Sequence, residues 1–257
     1  MSVLEQMQPI GLDDMKAVRL MNRVDQKYMA SADQLEALLD RIADRYYVQQ
    51  IGGEAMAPYR TLYFDTEGLA MYTMHHDGKL NRQKLRVRTY RSTYTTYFEI
   101  KNKDNKKKTR KVRIPIDVAQ FDHVDEVPEV RDFVDNNTPY TFTSHLSPFK
   151  LHPCLENSFN RITLVDKGMS ERVTIDSGIR FHNRATGIDA STGKLMVIEV
   201  KHEVGAPMSA IEQALHEMHI LPRRMSKYCI GTALTTPSIK HNRFKPKLLF
   251  IEKIDKS

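Results

Sequence analysis

Two stretches of the chain have the spacing of amphipathic helices. In "SADQLEALLDRI" the apolar residues recur on one helical face, and Ser31 and Gln34 have the spacing of a capping box. "SAIEQALHEMHI" repeats this arrangement with Ser209 and Glu212. A weaker pattern in "VPEVRDFVDN" predicts a third, shorter helix, and "SHLSPFKLHP" has the composition of a loop.

Between these helices, most of the sequence alternates apolar and polar residues, as strands do. The clearest segments are "RVDQKY", "NRQKLRVRTY", "FEIK", "KVRIPI", "ERVTID" and "MVIEVK". Successive side chains of a strand point to opposite faces, so residues two apart share a face. The order of elements predicts an α+β fold in which helices pack on an antiparallel sheet.

The polar faces of these segments consist mainly of Arg and Lys with single carboxylates. Their residues are Arg23, Asp25, Lys27, Arg82, Lys84, Arg86, Arg88, Glu99, Lys101, Lys111, Arg113, Arg172, Thr174, Asp176, Glu199 and Lys201. For one segment, a solvated outer face is the simpler interpretation. Like charges opposite each other destabilise a sheet unless something neutralises them. Six strand-like segments with mainly cationic faces therefore argue against an ordinary solvated outer face. We therefore predict a closed antiparallel β-barrel whose charged face lines a water-filled lumen.

The charges predicted in this lumen suit a linear polyphosphate or the triphosphate of a nucleotide. Arg binds phosphate through a fork of donors and Lys binds it as a point charge. Glu99 and Glu199 each precede a lysine by two positions. Carboxylates are ligands for hard divalent cations, so we predict that these two glutamates bind Mg²⁺ or Mn²⁺ beside the phosphates.

Composition agrees with a polyanionic partner. The 257 residues carry a net charge of +7, and 40% are hydrophobic, enough for one core over residues 1–257. A polar stretch over about 1–20 and a basic tail over about 238–257 flank the domain. Two cysteines without a CxxC pair and an N-terminus without an apolar segment predict a cytoplasmic protein. No window approaches the roughly 18 apolar residues of a membrane span.

Nine short motifs occur in order between about Arg23 and Gly231. They are "KYM", "YFDT" followed by Tyr72, "RQKLRVRTY", "FEIK", "KVRI", "FNRI", "RVTID", "IEVK" and "MSKYCIG". At these residues the sequence resembles the polyphosphate polymerase domain of the vacuolar transporter chaperone (VTC) type, within the triphosphate tunnel metalloenzyme (CYTH-like) superfamily. Each motif is weak alone, but nine in order are a strong signal.

The resemblance implies an eight-stranded antiparallel tunnel with flanking helices. It implies phosphate ligands at Lys27, Arg86, Arg88, Lys101, Lys111, Arg161, Arg172, Lys201 and Lys227. It also implies that Glu199 is the principal metal ligand. Glu99, Arg113, Arg224 and Ser226 lie on matching positions, and we expect the last three to bind substrate. Lys84, on the same strand face as Arg86, adds a further substrate-binding cation.

By the same resemblance, the function is transfer of the γ-phosphoryl of ATP to a growing polyphosphate chain. Phosphoryl transfer depends mainly on positioning and charge stabilisation, so catalysis is assigned to Arg86, Arg88, Lys101, Lys201 and Lys227. The triphosphatase branch typically starts with a Glu-x-Glu-x-Lys strand, and "RVDQKY" departs from it, which favours the polymerase.

Two alternatives stay open: a metal-dependent tri- or polyphosphatase of the same fold, and a polyphosphate-binding module without turnover. ATP and polyphosphate are the expected partners. A nucleic acid is not expected, because the cations converge on strand faces instead of spreading over a surface. A membrane-bound partner and the oligomeric state are left open. Tyr90, Tyr94 and Tyr97 are predicted to pack rather than to stack on bases.

Overall fold

A computed structural model describes residues 3–18, 23–106, 108–138 and 151–256, without the side chains of residues 16 and 17. The strands are β1 Pro9–Ile10, β2 Arg23–Ala30, β3 Tyr46–Gln49, β4 Met56–Thr66, β5 Arg82–Tyr90, β6 Thr95–Lys103, β7 Thr109–Ile116, β8 Leu151–Asp166, β9 Glu171–Asn183, β10 Asp189–Ser191 and β11 Met196–Glu203. The helices are α1 Val3–Gln6, α2 Ala32–Ile42, α3 Ala70–His76, α4 Pro128–Asn137, α5 Ala210–Glu217, α6 Lys227–Thr235 and α7 Lys245–Lys256. Among these residues, no helix is long and apolar enough to cross a bilayer.

One curled, mostly antiparallel sheet forms the centre of the fold. Eight strands follow each other across it in the order β2-β11-β9-β8-β4-β5-β6-β7, and every neighbouring pair on this path is antiparallel. The short strands β1, β3 and β10 pair outside this path. The α+β class is therefore confirmed.

The predicted helices begin at their capping boxes. Ser31 accepts a hydrogen bond from the Gln34 backbone N–H, and the Gln34 side chain accepts one from the Ser31 backbone N–H. Ser209 and Glu212 make the same reciprocal pair at the start of α5. Each pair satisfies two backbone donors that a helix start otherwise leaves free. The third predicted helix is α4, with proline in its first turn.

The apolar face of the sheet is covered by helices on its outer side. Leucines of α2 and the buried side of α5 pack on β2, β8, β9 and β11 in one core cluster. Valines of α4 pack on Leu62, Val87, Phe98 and Ile100 of β4, β5 and β6 in a second cluster. The alternation within these strands thus places their charged residues on the opposite, inner face.

A third apolar cluster lies at one end of the inner space. Helix α6 packs there against inward-facing residues that include Met29, Tyr63, Leu155 and Val197. A Cβ atom at Gly231 would collide with Phe181 and Leu155, so this position requires glycine for close approach of α6 to the sheet. The basic tail docks on the same cluster as α7.

The prediction of a closed barrel is wrong. Among the described residues, β2 and β7 are the two ends of the strand path and do not pair with each other. Alternation determines which face a side chain takes, but it contains no information on whether the first and last strands meet. Part of the free edge of β2 is covered instead by a loop, because Tyr28 bridges Pro222 and the Arg223 N–H donates to the Lys27 carbonyl at 2.7 Å.

The predicted loop before β8 and the predicted packing of three tyrosines differ in outcome. Most of the loop predicted at "SHLSPFKLHP" lies outside the described residues, and its last residues, Leu151 to Pro153, belong to β8 instead. Tyr94 does not pack as predicted, since it is 83% exposed in the turn between β5 and β6. Tyr90 and Tyr97 do pack, with ring centroids 6.1 Å apart.

Candidate active site

Strand register places the predicted charged residues in rows across the inner face. On one half of the sheet, Lys27 lies opposite Glu199, and Lys201 lies opposite Arg172. On the other half, Lys84, Lys101 and Lys111 form a row of three lysines across β5, β6 and β7. The next row contains Arg86, Glu99 and Arg113. A row of like charge such as the three lysines is unfavourable in a sheet unless an anion neutralises it.

Three carboxylates on this face each contact two cations. Glu199 pairs with Lys27 and Lys201. Burial alone would raise the pKa of Glu199, but the two lysines hold it well below its usual value. The Glu199 carboxylate is therefore ionised and shared between β2 and β11.

The second carboxylate links the sheet to α6. Both oxygens of Asp176 accept from Arg161, at 2.6 and 2.8 Å, and Asp176 also pairs with Lys227 at the start of α6. Burial favours protonation of Asp176, but Lys227 and Arg161 outweigh it and lower the pKa. Burial and the nearby Arg161 lower the pKa of Lys227 to about 8, and Asp176 opposes this shift.

The third carboxylate, Glu99, is fully buried. It accepts from Arg86 at 2.8 and 2.6 Å and pairs with Lys111. Burial would raise its pKa, but Arg86, Arg88 and Lys111 lower it to about 2. A buried ion triplet of this kind fixes the geometry of its cations while neutralising part of their charge.

Five inner cations have no carboxylate partner among the described residues: Lys84, Arg88, Lys101, Arg113 and Arg172. Lys84 donates to the Ser226 hydroxyl at 3.0 Å, and Arg88 donates to Thr61 at 3.2 Å. The Nε of Arg172 and the hydroxyl of Thr174 next to it are buried without any hydrogen-bond partner in the described part of the chain. Unsatisfied buried donors are costly, so these groups are suited to an external anion.

Lys101 shows that the two halves of the sheet face each other. Burial, followed by Arg86, Arg88 and Lys111, lowers its pKa to about 7, while Glu199 opposes this shift. Four strands separate β6 from β11 along the sheet, which in a flat sheet would put them more than about 20 Å apart. The electrostatic contact between Lys101 and Glu199 therefore acts across the lumen.

The loop before α6 brings a further pair of residues into the lumen. Ser226 caps α6 by accepting from the Cys229 N–H, and the same hydroxyl accepts from Lys84. Lys227 follows directly and reaches Asp176. The predicted positions 226 and 227 thus lie inside, whereas Arg224 is exposed and lies near Arg82 at the outside of this end.

Aromatic rings under the cations were not part of the sequence prediction. Arg161 lies over Tyr59 at 4.9 Å, Lys227 over Phe159 at 4.2 Å and Arg113 over Tyr97 at 4.2 Å. Tyr59 and Phe159 stack on each other at 5.1 Å. These contacts support the charged groups by cation–π attraction. The signal was present in "PYRTLYF", where Tyr59, Thr61 and Tyr63 alternate on the inner face of β4.

A strongly charged lumen beneath an open antiparallel sheet can be compared with known families. A model of the VTC domain matches residues 22–236. The chain belongs to the VTC domain family. A comparison with curated proteins finds no match.

Solved structures with a similar fold include proteins described as candidate adenylate cyclases. One, from Hippeastrum and described as having a dominant triphosphatase activity, is 14% identical with a TM-score of 0.50, covering 86% of this chain and 100% of that chain. One from Bacillus halodurans is 14% identical, with a TM-score of 0.49 and coverage of 80% and 94%. One from Vibrio parahaemolyticus is 10% identical, with a TM-score of 0.45 and coverage of 82% and 99%. At 14% identity, the similarity to the Hippeastrum protein shows a shared fold and nothing about function.

The donor set of this VTC domain limits how a divalent cation could bind. The described residues contain no group of three or more His, Cys, Asp or Glu side chains placed to hold a metal. Mg²⁺ commonly takes only one or two protein carboxylates and completes its shell with water and substrate phosphates. Glu199, ionised and 17% exposed on the lumen side, fits that shared mode. Glu99 is fully buried between Arg86 and Lys111, so its role as a ligand stays a prediction.

Proposed function

We propose that this VTC domain is a polyphosphate polymerase, which transfers the γ-phosphoryl of ATP to the end of a growing polyphosphate chain with Mn²⁺ or Mg²⁺. The observation that carries the proposal is the set of five lumen cations without carboxylate partners among the described residues, two of them in the lysine row of β5, β6 and β7. Fixed cations that converge on one lumen are what a chain of phosphates requires.

In this reaction a terminal oxygen of the chain attacks the γ-phosphorus of ATP, and the bond from that phosphorus to the β-bridging oxygen breaks to release ADP. Arg86 and Arg88 bind the equatorial oxygens, and Lys101, Lys201 and Lys227 neutralise charge on the donor and acceptor phosphates. Glu199 would hold a divalent cation, which would supply further charge stabilisation. Because Glu99 holds Arg86 and Asp176 holds Lys227 beforehand, these two cations need little reorganisation during transfer.

The number of cations favours synthesis over hydrolysis. A triphosphate alone needs fewer partners than the twelve residues assigned to substrate inside the lumen, which include Lys27, Lys84, Lys111, Arg113, Arg161, Arg172 and Ser226 beside the catalytic set. A polymerase must also hold the acceptor chain in line with the γ-phosphate. The surplus supplies that second binding region.

A metal-dependent triphosphatase is the second candidate. The observation in its favour is the fold shared with the Hippeastrum protein, which is described as having triphosphatase activity. Water would then take the place of the acceptor chain. A binding module without turnover is the third candidate, and the presence of Glu199 in the lumen argues against it.

The test is incubation of purified protein with ATP, Mn²⁺ and a short polyphosphate primer, with gel analysis of chain length and a separate assay of free phosphate. We expect chain growth that fails in Lys227→Ala and persists in Lys253→Ala, an exposed control on α7. Quantitative release of phosphate without extension at any ratio of ATP to ADP would assign the protein to the hydrolases. Tight binding without either product would leave only the binding module.

A further inference from the structure

A second group of cations lies outside the lumen, at the end where α6 packs. This outer basic surface consists of Arg82, Arg223, Arg224, Arg243 and Lys247. It starts directly beside the lumen, because Arg82 shares a strand face with Lys84, which contacts Ser226 before α6. Arg243 and Lys247 come from the C-terminal region, beyond the residues 22–236 that match the VTC domain.

The outer basic surface lacks carboxylate ion-pair partners in the described part of the chain. Within residues 3–18, 23–106, 108–138 and 151–256, none of its five side chains makes an ion pair with a carboxylate. Acidic residues of α7 are engaged elsewhere: Glu252 pairs with Lys256, and Asp255 accepts from the Lys194 N–H at 3.3 Å. After burial, Arg243 and Arg224 lower the pKa of Arg82, so the positive charges act on one another. The surface is therefore unfavourable without an anion.

Three of these side chains are held in place by other contacts. Arg243 donates to the His76 carbonyl at 3.1 Å, and a Cβ atom at Gly78 would collide with its guanidinium. The Arg223 guanidinium lies 4.0 Å over the Phe250 ring, and Lys247 lies 5.7 Å from the Phe244 ring. Side chains fixed in this way lose less entropy when they bind a ligand than freely solvated ones.

We propose that the outer basic surface binds the stretch of linear polyphosphate that extends beyond the phosphates held in the lumen. This inference rests on the proposed function and adds a binding region to it. Continuity with Lys84 favours a chain that comes from the lumen. A single-stranded nucleic acid would need free aromatic faces for its bases, and the rings at this surface, Phe244 and Phe250, are already in contact with Lys247 and Arg223.

The experiment compares the affinities for tripolyphosphate and for long-chain polyphosphate by isothermal titration calorimetry. The test variant is Arg243→Ala/Lys247→Ala, and the matched control is Lys245→Ala/Lys253→Ala, which removes two exposed lysines elsewhere on α7. We expect the test variant to bind the long chain about fivefold to tenfold more weakly, as for two partly exposed charge contacts, and to bind tripolyphosphate normally. The slope of log K against log salt should fall by roughly 1 for each lost contact.

A second variant guards against misfolding. Arg224→Gln changes an exposed side chain, so it leaves the fold intact and should also weaken the binding of the long chain. Equal affinities of the test variant and the control for the long chain would overturn the inference, as would an equal loss for both ligands. If the test variant loses binding to phosphatidylserine vesicles but keeps its affinity for long-chain polyphosphate, the surface binds a membrane instead. Failure of the wild type to bind tripolyphosphate would reject the proposed function itself.

Discussion

The two halves of the curled sheet carry similar cations, but they neutralise them differently. On β2, β11, β9 and β8, Glu199 and Asp176 contact four cations and leave Arg172 as the one lumen cation without a carboxylate among the described residues. On β5, β6 and β7, Glu99 contacts Arg86 and Lys111. The cations of that half without a carboxylate are Lys84, Arg88, Lys101 and Arg113.

This difference separates two tasks within one lumen. The half with two carboxylates has the smaller excess of positive charge, five lumen cations against two carboxylates, and its ionised Glu199 suits a cation shared with phosphate oxygens. The half with one carboxylate has a surplus of fixed positive charge, which suits the phosphates themselves. Paired cations should therefore contribute to stability, and unpaired cations should contribute to binding.

The largest expected effect is on stability. Arg161→Ala removes the bidentate partner of Asp176, whose residue is only 3% exposed, and should lower the free energy of unfolding by about 3–5 kcal/mol. Arg172→Ala removes a buried donor without a described partner and should leave stability unchanged or raise it. Urea denaturation of both variants measures the difference. An equal decrease in the free energy of unfolding for both variants would show that paired and unpaired cations do not differ in their contribution to stability.

The next effect concerns the metal. Glu199→Gln keeps the shape of the side chain but removes its charge, so metal-dependent turnover should fall by roughly 100-fold or more. Glu203→Gln, on the same strand but exposed, is the matched control. Steady-state rates are measured over a range of Mn²⁺ concentrations. Full turnover of the Glu199 variant at saturating Mn²⁺ would show that the ligand assignment is wrong.

Sequence patterns predicted the faces of the strands but not their partners. In β5 the alternation of Arg86 and Arg88 with Leu85 and Val87 is strict, so their sides could be read from the sequence. Which carboxylate meets which cation depends on the register between distant strands, as for Arg161 and Asp176. Such pairing has no local signal.

The open edge of the sheet and the outer basic surface could not be predicted from the sequence, for related reasons. Pairing between the first and last strands is a property of the curled sheet as a whole, and nothing in "RVDQKY" or "KVRIPI" indicates it. The position of the basic tail depends on Phe244, Ile251 and Ile254, which bury against residues of α3, α6 and β9. From the sequence, a docked tail and a loose tail were equally compatible with these residues.

The third effect tests the half with unpaired cations. Arg88→Ala removes a charge-assisted contact, so binding of tripolyphosphate should weaken by about 1.5–3 kcal/mol, and the effect should shrink as salt is raised. Because Arg88 bonds to the Thr61 hydroxyl and lies over the Tyr59 and Phe159 rings but pairs with no carboxylate among the described residues, the variant should keep its stability. Arg91→Ala, exposed in the adjoining turn, is the control. Calorimetric affinities equal to those of the control would make Arg88 a structural residue.

The smallest effect is a pH dependence that originates at Lys101. Its pKa in the unliganded protein is lowered to about 7, so below that pH the ammonium is already charged and binding needs no proton. Above it, the lysine is neutral in the free protein, and a bound phosphate must restore the proton, which weakens affinity by up to about tenfold per pH unit. Lys101→Arg keeps the charge throughout, because guanidinium does not titrate in this range. Affinity for tripolyphosphate is measured in both proteins across roughly pH 6 to 9, where titration of the ligand itself is common to both. The affinity of the wild type divided by that of Lys101→Arg should stay constant below pH 7 and fall above it. A constant ratio over the whole range would exclude Lys101 as a phosphate ligand that binds in its charged form.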